Sequence, residues 1–177
     1  LFDEVLDDAH DRGMTVMLDM VVNHAGYGAP LVAQHPEWFN DPTTCSQGGQ
    51  ADIDCPLAGL PDFNHSNEEA AGYLIDVHLQ WADRFPFDGV RMDTVKHVTP
   101  AYFSRWIDAM REARPELFMV GELLDEHSFD RYGRYLDAGF DGLFNFPLRQ
   151  GLIASFARGE STDIAASRMQ ETLDLFG

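Results

Sequence analysis

The sequence predicts an α/β fold built on a parallel sheet, and three observations carry that reading. Short apolar segments alternate with helical segments, the order of βα units. The first such segment, TVMLDMVV at residues 15–22, is β-branched and apolar on both faces, as a strand buried in a parallel sheet should be. Polar residues gather at the C-terminal ends of the strands: Asn23 and His24, then Arg91 and Asp93, then Glu122. That end carries the chemistry in barrels and in doubly wound sheets alike, so the pattern alone does not separate the two.

In chain order, Leu1, Phe2, Val5, Leu6 and Ala9 recur at helical spacing, and Gly13 stands where a C-terminal cap belongs. The strand at 15–22 follows. From 25 to about 64 no period holds, and Pro, Gly, Asp and Asn punctuate the stretch. A structureless loop of that length is out of place in a compact domain, so it reads as a small inserted domain, 25–64, between barrel-type segments 1–24 and 65–177. Asn67 caps a helix running to Arg84, with Leu74, Val77, His78 and Trp81 along one face. A strand at 87–95 precedes a helix at 100–114 that carries Tyr102, Phe103, Trp106, Ile107 and Met110. Strands at 117–122 and 140–146 and a closing helix at 163–176 complete the pass.

The composition narrows the function classes. A chain of 177 residues, 45% hydrophobic and with 13 Phe, has enough apolar mass for one globular domain. A net charge of −18 repels phosphates, so neither nucleic acid nor an anionic membrane is expected as a partner. A neutral substrate or a cation fits the charge, which equally describes a solvated acidic surface. No apolar run reaches the roughly 18 residues needed to span a bilayer. The chain opens at Leu1, inside a helix, and reads as a piece of a longer protein, so it is silent on any leader segment. Cys45 and Cys55 are the two cysteines. A disulfide between them would close a short loop and imply an oxidising compartment, extracellular or periplasmic; two free thiols are the alternative.

Within FDGVRMDTVKH, side chains alternate faces, so Arg91 and Asp93 point the same way. A neighbouring Arg keeps a carboxylate ionised, as a glycosidase nucleophile requires; a structural ion pair would look the same. Glu122 ends the apolar strand LFMVGE, where desolvation would favour a proton donor, and Gly121 leaves room for a ligand to approach. The two together make the unequal pair of retaining glycoside hydrolysis, with carboxyl groups about 5–5.5 Å apart. In DMVVNH, His24 offers a hydrogen bond to a sugar hydroxyl and Asn23 a hard oxygen to Ca²⁺.

DMVVNH, LPDFN, GVRMDTVKH and GELL, in this order and spacing, resemble the signature segments of the α-amylase family of glycoside hydrolases. The resemblance implies a partial (β/α)8 TIM barrel, with the insert after the third barrel strand. It implies that Asp93 is the nucleophile, Glu122 the general acid/base and Arg91 the residue that holds the nucleophile. His24 matches a residue binding the sugar before the scissile bond, Lys96 and His97 match residues lining the sites beyond it, and Asp19 matches a structural carboxylate. Asn23 and Asp62 match side-chain ligands of a calcium between barrel and insert, completed by backbone carbonyls of His97 and of a residue near Ile53.

The family's fourth signature, a His-Asp pair, is absent from the chain, as are its first strands; a fragment inactive alone is expected. The family's cyclodextrin-forming transferases carry aromatics just before the LPDFN-like segment and two residues after the acid, where this chain has Ala58 or Gly59, and Leu124. The expectation is therefore an endo-acting, monomeric α-1,4-glucan hydrolase acting on poly- or oligosaccharide. An α-glucosidase or transglycosylase is the alternative. A non-catalytic carbohydrate-binding homologue would be expected to lack Asp93 or Glu122, and both are present.

Overall fold

The computed structural model describes residues 1–45 and 51–176. Residues 46–50 of the expected insert lie outside the described part. Helix α1 (Phe2–Asp11) buries Leu6 and Ala9, and Gly13 follows at φ 73°, a left-handed position that suits a residue without Cβ. The sheet holds β1 (Met17–Met20), β2 (Gly89–Met92), β3 (Phe118–Gly121) and β4 (Gly142–Leu143). They lie in sequence order and every pairing is parallel. The register sets Asp19 beside Arg91, Arg91 beside Val120, and Met92 beside Gly121.

One strand departs from expectation. β1 is not buried on both faces: Met17 is 45% exposed and Asp19 is exposed. Among the described residues β1 pairs with β2 alone, so it is an edge, and an edge strand keeps one flank and part of its faces open. β2, paired on both sides, has Gly89, Val90 and Met92 buried.

Helices α4 (Glu68–Arg84) and α5 (Pro100–Ala113) pack on one another and share one apolar core with the strands. Asn67 caps α4 by accepting from the N–H groups of Glu69 and Ala70. Thr99 caps α5 by accepting from Tyr102 N–H, and Pro100 occupies the first turn, where no amide hydrogen is needed. All five expected apolar residues of α5 are buried. On α4, Trp81 is 41% exposed, because it leans outward against Phe2 and Phe85, and Ala70, Ala71, Leu74, His78 and Ala82 form the buried face. Trp106, fully buried, donates its indole N–H to His78 Nδ1 at 2.8 Å, which satisfies two polar groups in the apolar interior.

The 25–64 stretch contributes no strand to the sheet among its described residues. It holds α2 (Pro30–Gln34), α3 (Ala51–Asp54) and short 3-10 turns. It is tied to the end of β1 by the bridge His24–Asp62 and by Phe63 N–H donating to the Asn23 carbonyl, and the bridge Phe39–Phe63 closes it on itself. After β3 come α6 (Tyr132–Asp137), β4, α7 (Phe146–Leu152) and α8 (Thr162–Phe176). No helix among the described residues is long and apolar enough to cross a membrane.

Candidate active site

The strand ends assemble a charged cluster around one guanidinium. Arg91 Nη1 donates to Asp19 Oδ1 at 2.8 Å and to Asp93 Oδ1 at 2.5 Å, and Nη2 lies 2.9 Å from Glu122 Oε2. The backbone ladder places these groups. Asp93 N–H donates to Met20 carbonyl and Glu122 N–H to Met92 carbonyl, so the chain stays extended for one residue beyond each strand. Burial works against the charge on Arg91, but its carboxylate partners outweigh it and the group stays protonated. Asp93 and Glu122 thus fall within the span of a single guanidinium.

Glu122 sits differently from the sequence expectation. Its side chain is about one-fifth exposed and faces Arg91 and the N–H of Thr94, not an apolar wall. Gly121 also serves another purpose: a Cβ there would lie 2.8 Å from Leu143 and 3.0 Å from Val95, so the glycine permits close packing of β3 and β4, not ligand approach. Thr94 has φ 51°, a left-handed conformation that is uncommon for a β-branched residue and turns its N–H toward the carboxylate of Glu122.

His24 and the Lys96–His97 turn flank this cluster. His24 bridges to Asp62 and lies next to Asn23, whose Nδ2 is 3.3 Å from His24 Nδ1. His97 Nδ1 donates to the Asp52 carbonyl at 2.7 Å; burial lowers the imidazole below its ordinary value, and that hydrogen bond works in the opposite direction. Lys96 lines a cavity of about 350 Å³ with Ile53, Arg131, Arg134 and Tyr135. Arg131 and Lys96 also line a second, of about 320 Å³, with Leu124 to His127.

Asn23 and Asp62 are fully buried, and Asn23 Oδ1 and Asp62 Oδ1 each lack a hydrogen-bond partner. Burial pushes the Asp62 carboxyl up to about 6, with Asn40 Nδ2, 2.7 Å from Oδ2, working the other way. Two orphaned hard oxygens on adjoining segments suit a hard cation with backbone carbonyls as further donors. Among the described residues no three His, Cys, Asp or Glu side chains cluster as a metal site. Helix α3 packs on the Val95–His97 turn, which brings the segment of Ile53 to His97.

Cys45 and Cys55 are joined by a disulfide, with Cα atoms 5.0 Å apart. Sequence reasoning missed several groups. Tyr27, 70% exposed, donates its hydroxyl to the Ala58 carbonyl at 2.6 Å, so a ring stands where Ala58 and Gly59 alone supply none. His65 Nε2 donates to the Val22 carbonyl at 2.9 Å, bracing the strand end that carries Asn23. Tyr132 donates to carbonyls of Leu123 and Phe144, fixing the loop after Glu122. These contacts join distant segments, and no local spacing in the sequence signals them.

No protein-family model matches the chain. It is 29% identical to the intracellular maltogenic amylase of Bacillus subtilis strain 168, over 96% of this chain and 29% of that protein. It is 26% identical to a cyclomaltodextrinase of Geobacillus thermopakistaniensis, over 93% of this chain and 29% of that protein. The crystal structure of an Anoxybacillus α-amylase superposes with a TM-score of 0.90 at 29% identity, covering 99% of this chain and 40% of that one. The parallel sheet with its strand-end carboxylates is therefore of the (β/α) barrel class, as part of such a barrel. Within that class the chain is a relative of the α-amylase family, and it spans about three-tenths of the length of the curated relatives it matches.

Proposed function

We propose that the whole protein is a retaining glycoside hydrolase acting on α-1,4-glucans, with starch, glycogen or maltodextrins as substrates. The observation that carries the reading is Arg91, which reaches Asp93 and Glu122 at once on adjoining strand ends. Asp93 attacks the anomeric carbon while Glu122 protonates the departing glycosidic oxygen. Glu122 then takes a proton from water, which attacks the same carbon and releases Asp93. Arg91 holds the nucleophile in place through its hydrogen bond to Asp93 Oδ1. His24 supports the sugar before the cleaved bond, and Lys96 and His97 support those beyond it. Amylase and cyclomaltodextrinase names among the relatives support an α-glucan substrate.

Endo-attack is the finer reading, supported by the absence of an aromatic at Leu124. Tyr27 favours the alternative, a transglycosylating enzyme, since a pinned, exposed ring can hold an acceptor sugar. Product analysis on maltotriose separates the two. Calcium belongs to the same reading: Asn23 and Asp62 would hold it, with carbonyls of His97 and Ile53, and its contribution would be to join insert and sheet. The disulfide supports an oxidising compartment, extracellular or periplasmic. The direct test is Glu122→Gln in the full-length protein. Hydrolysis of starch should fall by about 10²–10⁴-fold or more, with starch binding retained. A variant that hydrolyses at the wild-type rate would show that Glu122 is not the general acid.

A further inference from the structure

Asp52 draws together three segments that are distant in sequence. It lies in the loop closed by Cys45 and Cys55. Its carboxylate accepts from Arg131 Nη1 at 2.6 Å and stands 3.9 Å from Lys96 Nζ, while its own carbonyl accepts from His97 Nδ1 at 2.7 Å. Lys96 and His97 follow the strand of Asp93; Arg131 precedes α6, in the loop that follows Glu122. Asp52, Lys96 and Arg131 also line the second cavity, beside Leu124, Asp125, Glu126 and His127. That cavity opens beside the residues that follow Glu122. Burial pushes the Asp52 carboxyl up, but Arg131 and Lys96 outweigh it and hold it below the usual carboxylate range.

We propose that Asp52 is a positioning residue for the leaving-group side of the site: gripping Arg131 and Lys96, it fixes the Lys96 ammonium where the sugar beyond the cleaved bond must lie. The inference rests on the reading of Asp93 and Glu122 as a glycosidase pair. A partly exposed ion pair of this kind adds little to folding stability, so its consequence should be visible in substrate handling. The planar Arg131 fork gives the grip its direction.

The test compares two substrates in the full-length protein. Maltopentaose needs a sugar bound on the leaving-group side, and α-maltosyl fluoride, which loses fluoride, does not. Asp52→Asn and Arg131→Gln should each lower kcat/KM for maltopentaose about fivefold and change it for α-maltosyl fluoride by less than about twofold. The double variant should lose no more than either single one, because the two side chains act as one unit. Arg131→Lys should recover part of the loss. If Asp52→Asn does not fold, Arg131→Gln poses the same question from the other partner. Equal losses on both substrates, no loss on either, or additive losses would overturn the proposal. A wild-type protein that cleaves neither substrate would instead overturn the functional reading beneath it.

Discussion

Arg91 shows how one residue sets the chemistry of its neighbours. Alternation along β2 makes its shared face with Asp93 legible in the sequence, and the family-like segments point to Glu122. The contact between Arg91 and Glu122 is not legible, because it depends on the register of β2 against β3. His78 is a second residue whose setting only the packing reveals. Burial between α4 and α5 lowers its imidazole to about 4, and its Nδ1 accepts from Trp106. A folded-state value below the unfolded one means that the unfolded chain binds the extra proton. The stability tied to neutral His78 is therefore complete above about pH 6.5 and is lost as pH falls toward about 4. His78→Gln keeps an acceptor for Trp106 but cannot titrate. Urea midpoints of the full-length protein, measured across this window, should fall less steeply with acid in the variant; equal slopes would show that His78 is not a source of the acid sensitivity.

The elements were legible where packing and periodicity agree. α4, α5 and α8 lie close to their expected bounds, because a cap at Asn67 marks the start of α4 and a regular apolar face marks α4 and α5. The strands are shorter than their apolar runs, since flanking residues such as Val22 and Phe87 are buried by neighbouring segments and not by sheet pairing. α6 and α7 escaped notice: six and seven residues are too few to establish a helical period. The reading of Gly121 failed for a related reason, as its neighbours Leu143 and Val95 come from other segments. Gly121→Ala should destabilise the full-length protein by about 1–3 kcal/mol through overpacking between β3 and β4. Chemical denaturation checks this, and an unchanged midpoint would restore the idea of open space at that position.

At the scale of the whole molecule, the 25–64 stretch meets the segments that follow β1 and β2 at Asn23, Asp62, Asp52 and His97. Sequence pattern indicates that an insert exists, but its short helices and its disulfide-closed loop carry no periodic signal, so their docking is a property of the fold alone. The calcium reading makes a prediction at this scale. An ion bound only by the folded state raises stability by mass action, so a chelator should lower the melting temperature of the full-length protein, and Asp62→Ala should remove most of that sensitivity. Melting unaffected by chelator would remove calcium from the account and leave the carboxylate pair standing. The central claim is the pairing of Asp93 as nucleophile with Glu122 as acid/base, and it fixes the stereochemistry of the product. Proton NMR of the sugar released from an α-1,4-glucan by the full-length protein, recorded before mutarotation, tests it most directly. The account predicts that the α-anomer appears first; the β-anomer appearing first would contradict it.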